Sequence, residues 1–525
     1  PLLTDMYQIS MCYAYFRTKR HLTHAVFDLF FRKNPFGGEY TVFAGLGEVI
    51  AFLHSYKFTD EHISFLRQQM PEASDDFFDY LRNLDCSQVV VHAFKEGSVV
   101  FPREPLLRVE GPVGICQLLE TTLLCIVNFA SLVATNAARM RLAVGPNKTL
   151  LEFGLRRSQG PDGGVSASRY SYVGGFDGTS NALAGMLFGM KVGGTHAHSF
   201  VQSFSSLEDL PSRDIELPDG SMVDFVDIVL KYRQQLNYKQ TNTGELAAFI
   251  AYCQAFPSAF LALVDTYDTL VSGIPNFILC ALAMFQIGYK PIGIRLDSGD
   301  LAYLSQEARI MFRKVQEKFQ IPGMANNLKI VASNDIGEET LYSLKQQGHS
   351  IDTFGIGTNL VTCQDQPALG CVFKLVEYNG SPRIKLSQEI KKVSIPGKKL
   401  LFRLQGRANF PLVDLMLMED EVLKYGEPAP GARITCRHPF DPTKRVVCVP
   451  TTVRRLLEKV WDGGPTREPE TIAEVRSAAM RELSSLRHDH LRFLNPTPYK
   501  VSLSEYLFEE MHKLWKQEAP IAELS

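Results

Sequence analysis

The chain has 525 residues, 45% hydrophobic and 21% charged, and its 55 lysines and arginines against 57 aspartates and glutamates leave a net charge of −2. This balance excludes a chain too polar to fold, and a nucleic-acid binder that works through an excess of positive charge. The length accommodates roughly two to four domains, or one large barrel with additions.

The first stretch is strand-rich. Segments 25–31 and 89–94 carry β-branched and aromatic residues between turn signals. A helical pattern covers Gly45 to Tyr56, and Asn34-Pro-Phe-Gly-Gly38 forms a turn cluster. The longest apolar run, Val113 to Ala134, is interrupted by Gln117, Glu120, Thr121, Thr122 and Asn128. Such a run fits a core helix better than a membrane span, so no membrane association is expected. The cysteines contain no C-x-x-C pair and read as scattered thiols in a reducing cytosol.

From about Thr149 the texture changes. Short apolar runs end in polar residues at 150–153, 192–195, 261–265, 292–297, 330–333 and 353–356. Helical patterns at 276–287, 302–319 and 337–346 lie between the later ones. Strand and helix in alternation predict β/α units around a parallel sheet, as a barrel or as an open doubly wound sheet. Residues 205–220 read as an insertion loop, and 468–523 as an amphipathic helical tail.

The strand ends collect the candidate chemistry. In Gly193-Gly-Thr-His-Ala-His-Ser-Phe200, His196 and His198 share a face if the backbone is extended. They suit a metal pair completed by Asp265 or Asp297, a nucleophile or proton carrier beside a phosphate, or two histidines bonding the backbone. Arg295 and Asp297 also share a face, as an ion pair or as an anion-and-hydroxyl site. Asp265 and Asp268 suit Mg²⁺ or ribose hydroxyls, although helix capping fits Asp268 better. Gly355, Gly357 and Thr358 form either an anion nest or an ordinary tight turn. Phe153 offers a flat face beside Arg156 and Arg157, whose guanidinium groups match phosphate. Together these residues suit a phosphorylated sugar bound beside a planar ring.

The blocks Leu2-Leu-Thr-Asp-Met-Tyr-Gln8, Asn34–Gly38, Glu152-Phe-Gly-Leu-Arg-Arg157, Gly194-Thr-His-Ala-His-Ser199, Arg295-Leu-Asp-Ser-Gly-Asp300 and Gly355-Ile-Gly-Thr358 resemble the nicotinate phosphoribosyltransferase family. The resemblance implies an α/β fold: an irregular, TIM-like β/α barrel over residues 146–362, and a second α/β domain over 1–145 completed by about 363–455. A helical C-terminal region over 456–525 follows. It also implies a cytosolic homodimer with shared active sites, and no nucleic-acid or membrane partner. The implied reaction joins nicotinate to phosphoribosyl pyrophosphate, with Mg²⁺ or Mn²⁺ and with ATP hydrolysis coupled through a phosphohistidine.

By the same resemblance His198 is phosphorylated, while Tyr7 of the neighbouring subunit and Phe153 sandwich the pyridine ring. Arg295, with Thr195 close by, meets nicotinate. Asp297 holds ribose hydroxyls and Asp265 lies near the metal-bound pyrophosphate. Arg156, Arg157, Gly357 and Thr358 bind phosphate groups. Relatives that use nicotinamide carry Gly-Thr-Asp where this chain has Gly178-Thr179-Ser180. A carboxylate there would repel nicotinate, whereas Ser180 can donate a hydrogen bond. Two other readings stay open: a metal-dependent barrel hydrolase using His196 and His198, and a non-catalytic dimeric member of the family.

Overall fold

The computed structural model describes residues 1–521 and 523, apart from the side chain of Lys391; residues 522, 524 and 525 of the expected tail lie outside the described residues. The chain divides into two compact units. One comprises residues 1–136, 173–175 and 365–525, the other residues 137–172 and 176–364.

The second unit is built on the alternating pattern. Its six strands pair in the order Leu261–Leu263, Gly293–Leu296, Lys329–Ala332, Thr353–Ile356, Thr149–Glu152 and Gly178–Thr179, and every pair is parallel. Helices Ile274–Gln286, Leu301–Phe319, Glu338–Gln347, Thr358–Thr362, Gly160–Val173 and Ala182–Phe188 follow them in turn. Parallel neighbours require such crossovers, and the helices cover the sheet. Ile294, Leu296, Ile330 and Phe354 are accordingly buried.

The expected barrel does not close among the described residues: the sheet is open, with six strands. The run predicted as a strand at 192–195 is reduced to a single bridge between Thr179 and Val192. Gly193-Gly194 then leads into irregular backbone, and the edge strand opposite finds a different partner. The Leu263 N–H donates to Nε2 of His196 at 3.3 Å. A side chain thus occupies the place where another strand would pair.

The first unit contains two six-stranded sheets. In one, Ser381–Pro382, Val372–Tyr378, His24–Phe30, Leu107–Pro112, Val90–Ala93 and Glu458–Asp462 pair antiparallel. The other runs Arg445–Cys448, Ile434–Arg437, Val501–Leu503, Pro411–Met418, Lys399–Gln405, Thr452–Arg455. Alternation sets its core. Leu400, Phe402 and Leu404 pack with Val413, Leu415 and Leu417. The opposite face of the same strand buries charge. Arg403 reaches Asp414 at 2.6 Å, Glu482 at 3.0 Å and the Val99 carbonyl at 2.9 Å, and Lys399 reaches Asp28 at 2.7 Å.

The C-terminal region is not uniformly helical. Helices Ile472–Ser485 and Glu505–Glu518 are joined by a stretch containing strand Val501–Leu503, and Glu458–Asp462 is an edge strand. Within 205–220, Asp214–Glu216 pairs with Met222–Asp224 as a small hairpin. Two helical stretches, Glu120–Val144 and Thr269–Gln286, are apolar and long enough to cross a membrane, and most of each is buried within the protein.

Candidate active site

The C-terminal ends of the parallel strands bring several predicted residues together. Strand Thr149–Glu152 delivers Phe153, whose N–H bonds the Ile356 carbonyl at 2.8 Å. A Cβ on Gly355 would overlap the Phe153 ring, so only glycine lets the ring lie against this strand. The guanidinium carbon of Arg295 sits 5.3 Å from the Phe153 ring centroid, a cation–π distance.

Arg295 is held on two sides. Its Nε donates to Ser333 Oγ at 2.9 Å and a terminal nitrogen donates to Asp297 Oδ1 at 2.9 Å. Ser333 Oγ also donates to Asp297 Oδ1, closing a triangle that fixes the charge of Arg295 above the ring. The other oxygen of Asp297 faces His198, 3.8 Å from Nε2. Thr266 Oγ1 lies 3.1 Å from His198 Nδ1, which leaves Nε2 as the free nitrogen.

Asp265 accepts from Ser298 Oγ at 2.5 Å through Oδ2, while its Oδ1 is buried with no partner. Asp268 and Asp300 instead cap helical turns, accepting from Val271 N–H at 2.7 Å and Tyr303 N–H at 3.0 Å. Gly357 precedes the five-residue helix Thr358–Thr362. Arg156 and Arg157 occupy the exposed turn Leu155–Arg157, with no ion pair among the described residues. Thr195 is half-buried and Ser180 exposed. Tyr7 belongs to the first unit, on helix Met6–Arg17, where it lines a 540 Å³ cavity with Lys374 and Lys385.

The two histidines do not form a pair. The backbone between them is not a strand, and His198 opens helix His198–Gln202. His196 turns into an aromatic pocket, 4.9 Å from Tyr252 and 5.5 Å from Phe200 between ring centroids. Burial, more than the neighbouring Arg295 and His198, drives its pKa down to about 4. Among the described residues no three histidine, cysteine or carboxylate side chains cluster as metal ligands. The hydrolase reading therefore loses its metal site, because the shared face it needs is absent.

Profiles described as the nicotinate phosphoribosyltransferase (NAPRTase) N-terminal domain, C-terminal domain and family match residues 2–128, 398–511 and 281–413. A Dictyostelium discoideum nicotinate phosphoribosyltransferase is 54% identical, covering 100% of this chain and 90% of its own length. The Homo sapiens nicotinate phosphoribosyltransferase is 46% identical over 99% of this chain and 97% of its own length. The chain belongs to the nicotinate phosphoribosyltransferase family. The crystal structure of human nicotinic acid phosphoribosyltransferase superposes with a TM-score of 0.87 at 42% identity, covering 97% of this chain and 99% of that one. A nicotinate-nucleotide pyrophosphorylase from Pyrococcus furiosus, 20% identical with a TM-score of 0.59 over 92% of this chain and 94% of its own, shares the fold.

Within this family member, sequence reasoning missed the residues that hold the predicted ones in place. Glu152 is the main case. Its buried carboxylate accepts from Gly154 N–H, from Ser168 Oγ at 2.8 Å and from Thr179 Oγ1 at 2.5 Å, tying the Phe153 turn to strand Gly178–Thr179 and to helix Gly160–Val173. Glu245 lies under the Asp265–Asp268 loop and bonds Ser272 at 2.5 Å and Asn276 at 3.0 Å. Burial pushes its carboxyl up to about 7. Ser333 follows an apolar strand run directly and Thr266 follows another one residue later, after Asp265, the one local signal that marks them.

Proposed function

We propose that the protein joins nicotinate to phosphoribosyl pyrophosphate, giving nicotinate mononucleotide and pyrophosphate as the first step of NAD synthesis from nicotinate. The observation that carries this reading is the Phe153 ring beneath the Arg295 guanidinium, with Asp297 and His198 beyond it. A flat apolar face under a fixed cation suits a pyridine carboxylate. Ser180 favours the acid over the amide at the neighbouring turn. Asp297, bonded to Arg295, presents its second oxygen to ribose hydroxyls, and Arg156, Arg157, Gly357 and Thr358 bind phosphate groups.

In this reading the pyridine nitrogen attacks the anomeric carbon as the bond to pyrophosphate breaks, so no activating base is needed. The protein's work is to position the ring and stabilise the leaving charge. His198, oriented by Thr266, takes the γ-phosphoryl group of ATP on Nε2 and releases it to water. The unpartnered Oδ1 of Asp265 fits a Mg²⁺ ion or one of its waters, since such ions keep most of their ligands as water and phosphate. When bound, the cation offsets charge on the departing pyrophosphate. We also read the open parallel sheet as the wall of an irregular barrel, and the active form as a cytosolic homodimer in which Tyr7 of the neighbouring subunit covers the ring.

A product assay tests this directly: nicotinate, nicotinamide and quinolinate are each supplied with phosphoribosyl pyrophosphate, with and without ATP. Nicotinate mononucleotide from nicotinate, raised by ATP, is expected. Turnover of quinolinate alone would overturn the assignment.

A further inference from the structure

The turn Asn34–Gly38 has no part in the reaction above. Its Asn34 lines a 640 Å³ cavity in the first unit together with Arg103, His438, Lys444, Arg445 and Lys500. That volume lies within the range of small-molecule sites.

Arg103 is placed there against its backbone preference. Phe101-Pro102-Arg103-Glu104 is a β-turn closed by the Glu104 N–H on the Phe101 carbonyl at 3.4 Å, and Arg103 takes its third position at φ 72°. Proline suits the second position of such a turn, but the third favours glycine. An arginine kept in this conformation points to a use for its side chain. Nε of Arg103 is buried without an acceptor, and its guanidinium carbon lies 4.7 Å from the Phe440 ring centroid. Burial, then repulsion from Arg32, depresses its pKa, so an anion would relieve both.

The rest of the lining agrees. Among the described residues Arg445 and Lys500 have no carboxylate partner, and Lys444 has only Asp441 at 3.3 Å. The acid on this wall is Glu39, whose carboxyl burial pushes up toward its neutral form. His438 accepts the N–H groups of Phe440 at 3.2 Å and Asp441 at 3.0 Å on Nδ1, so its proton sits on Nε2 as a donor. Cations, a neutral donor and a discouraged carboxylate form a lining suited to a phosphate oxyanion.

We propose that this cavity is a second anion site, taking a phosphorylated small molecule whose phosphate is held by Arg103 and Arg445 with Lys444 and Lys500 around it. Equilibrium dialysis of the full chain with labelled inorganic phosphate and with ADP tests it. A class of binding site is expected that becomes about tenfold weaker or more in Arg103→Ala/Arg445→Ala and persists in Arg156→Ala/Arg157→Ala. Adenosine is expected not to compete for it. ADP binding tighter than phosphate assigns a phosphate ester as the ligand, and the reverse order assigns the free ion. Should the Arg103 variant fail to fold, the exposed pair Lys444→Glu/Lys500→Glu carries the same expectation. Unchanged affinity and stoichiometry in the folded variants would overturn the proposal, as would displacement by adenosine equal to that by ADP.

Discussion

At the scale of single residues, His198 and His196 show how two neighbours of one type diverge. His198 keeps Nε2 free near Asp297. His198→Ala should abolish the stimulation by ATP and leave slower ATP-independent transfer, read from product formed with and without ATP; unaltered stimulation would remove His198 from that role. His196 is neutral and half-buried, with a pKa near 4 against about 6.5 in the unfolded chain. Because the unfolded state then binds the extra proton, stability is intact above pH 6.5 and falls as pH drops toward 4. Between pH 7 and 5 urea unfolding should lose up to about 2 kcal/mol, and His196→Gln should flatten that slope. Ser180→Asp should raise the KM for nicotinate about tenfold or more by placing a carboxylate against a carboxylate. An equal KM would show that Ser180 does not meet the substrate.

Elements rather than residues decide how much of this was readable in advance. Strand Gly293–Leu296 was legible because an apolar run delivers Arg295 and Asp297 to one face, and the pattern of period two carries that information locally. The run after Lys191 looked equally strand-like, but whether a run pairs depends on a neighbour, and Leu263 finds an imidazole instead. The triangle of Arg295, Asp297 and Ser333 spans two strands, and Glu152 joins a turn to a strand and a helix distant in sequence, so no local pattern predicts either contact. The antiparallel pair Lys399–Gln405 and Pro411–Met418 likewise hides its buried charge, since Arg403 alternates with apolar residues as a surface residue would. Asp414→Ala should leave that guanidinium with Glu482 as its remaining carboxylate partner and reduce stability by about 1–3 kcal/mol in denaturant unfolding.

At the scale of the whole molecule, the proposed sharing of Tyr7 between subunits makes a quantitative claim. Tyr7→Ala and His198→Ala chains, each impaired alone in ATP-stimulated synthesis, should complement when mixed after subunit exchange. Half of a random mixture is heterodimer, and each heterodimer has one intact site of two, so about a quarter of wild-type activity should return. No recovery would mean that Tyr7 serves its own chain or serves no site.

The imidazole at the edge of the parallel sheet has a further consequence. An uncapped edge strand offers its amides as a template for another chain, and such edges seed aggregation. By occupying the Leu263 N–H, His196 shields this edge without the length of another strand. Protonation removes that acceptor, so acid near pH 4 should expose the edge and promote self-association before the helices unfold.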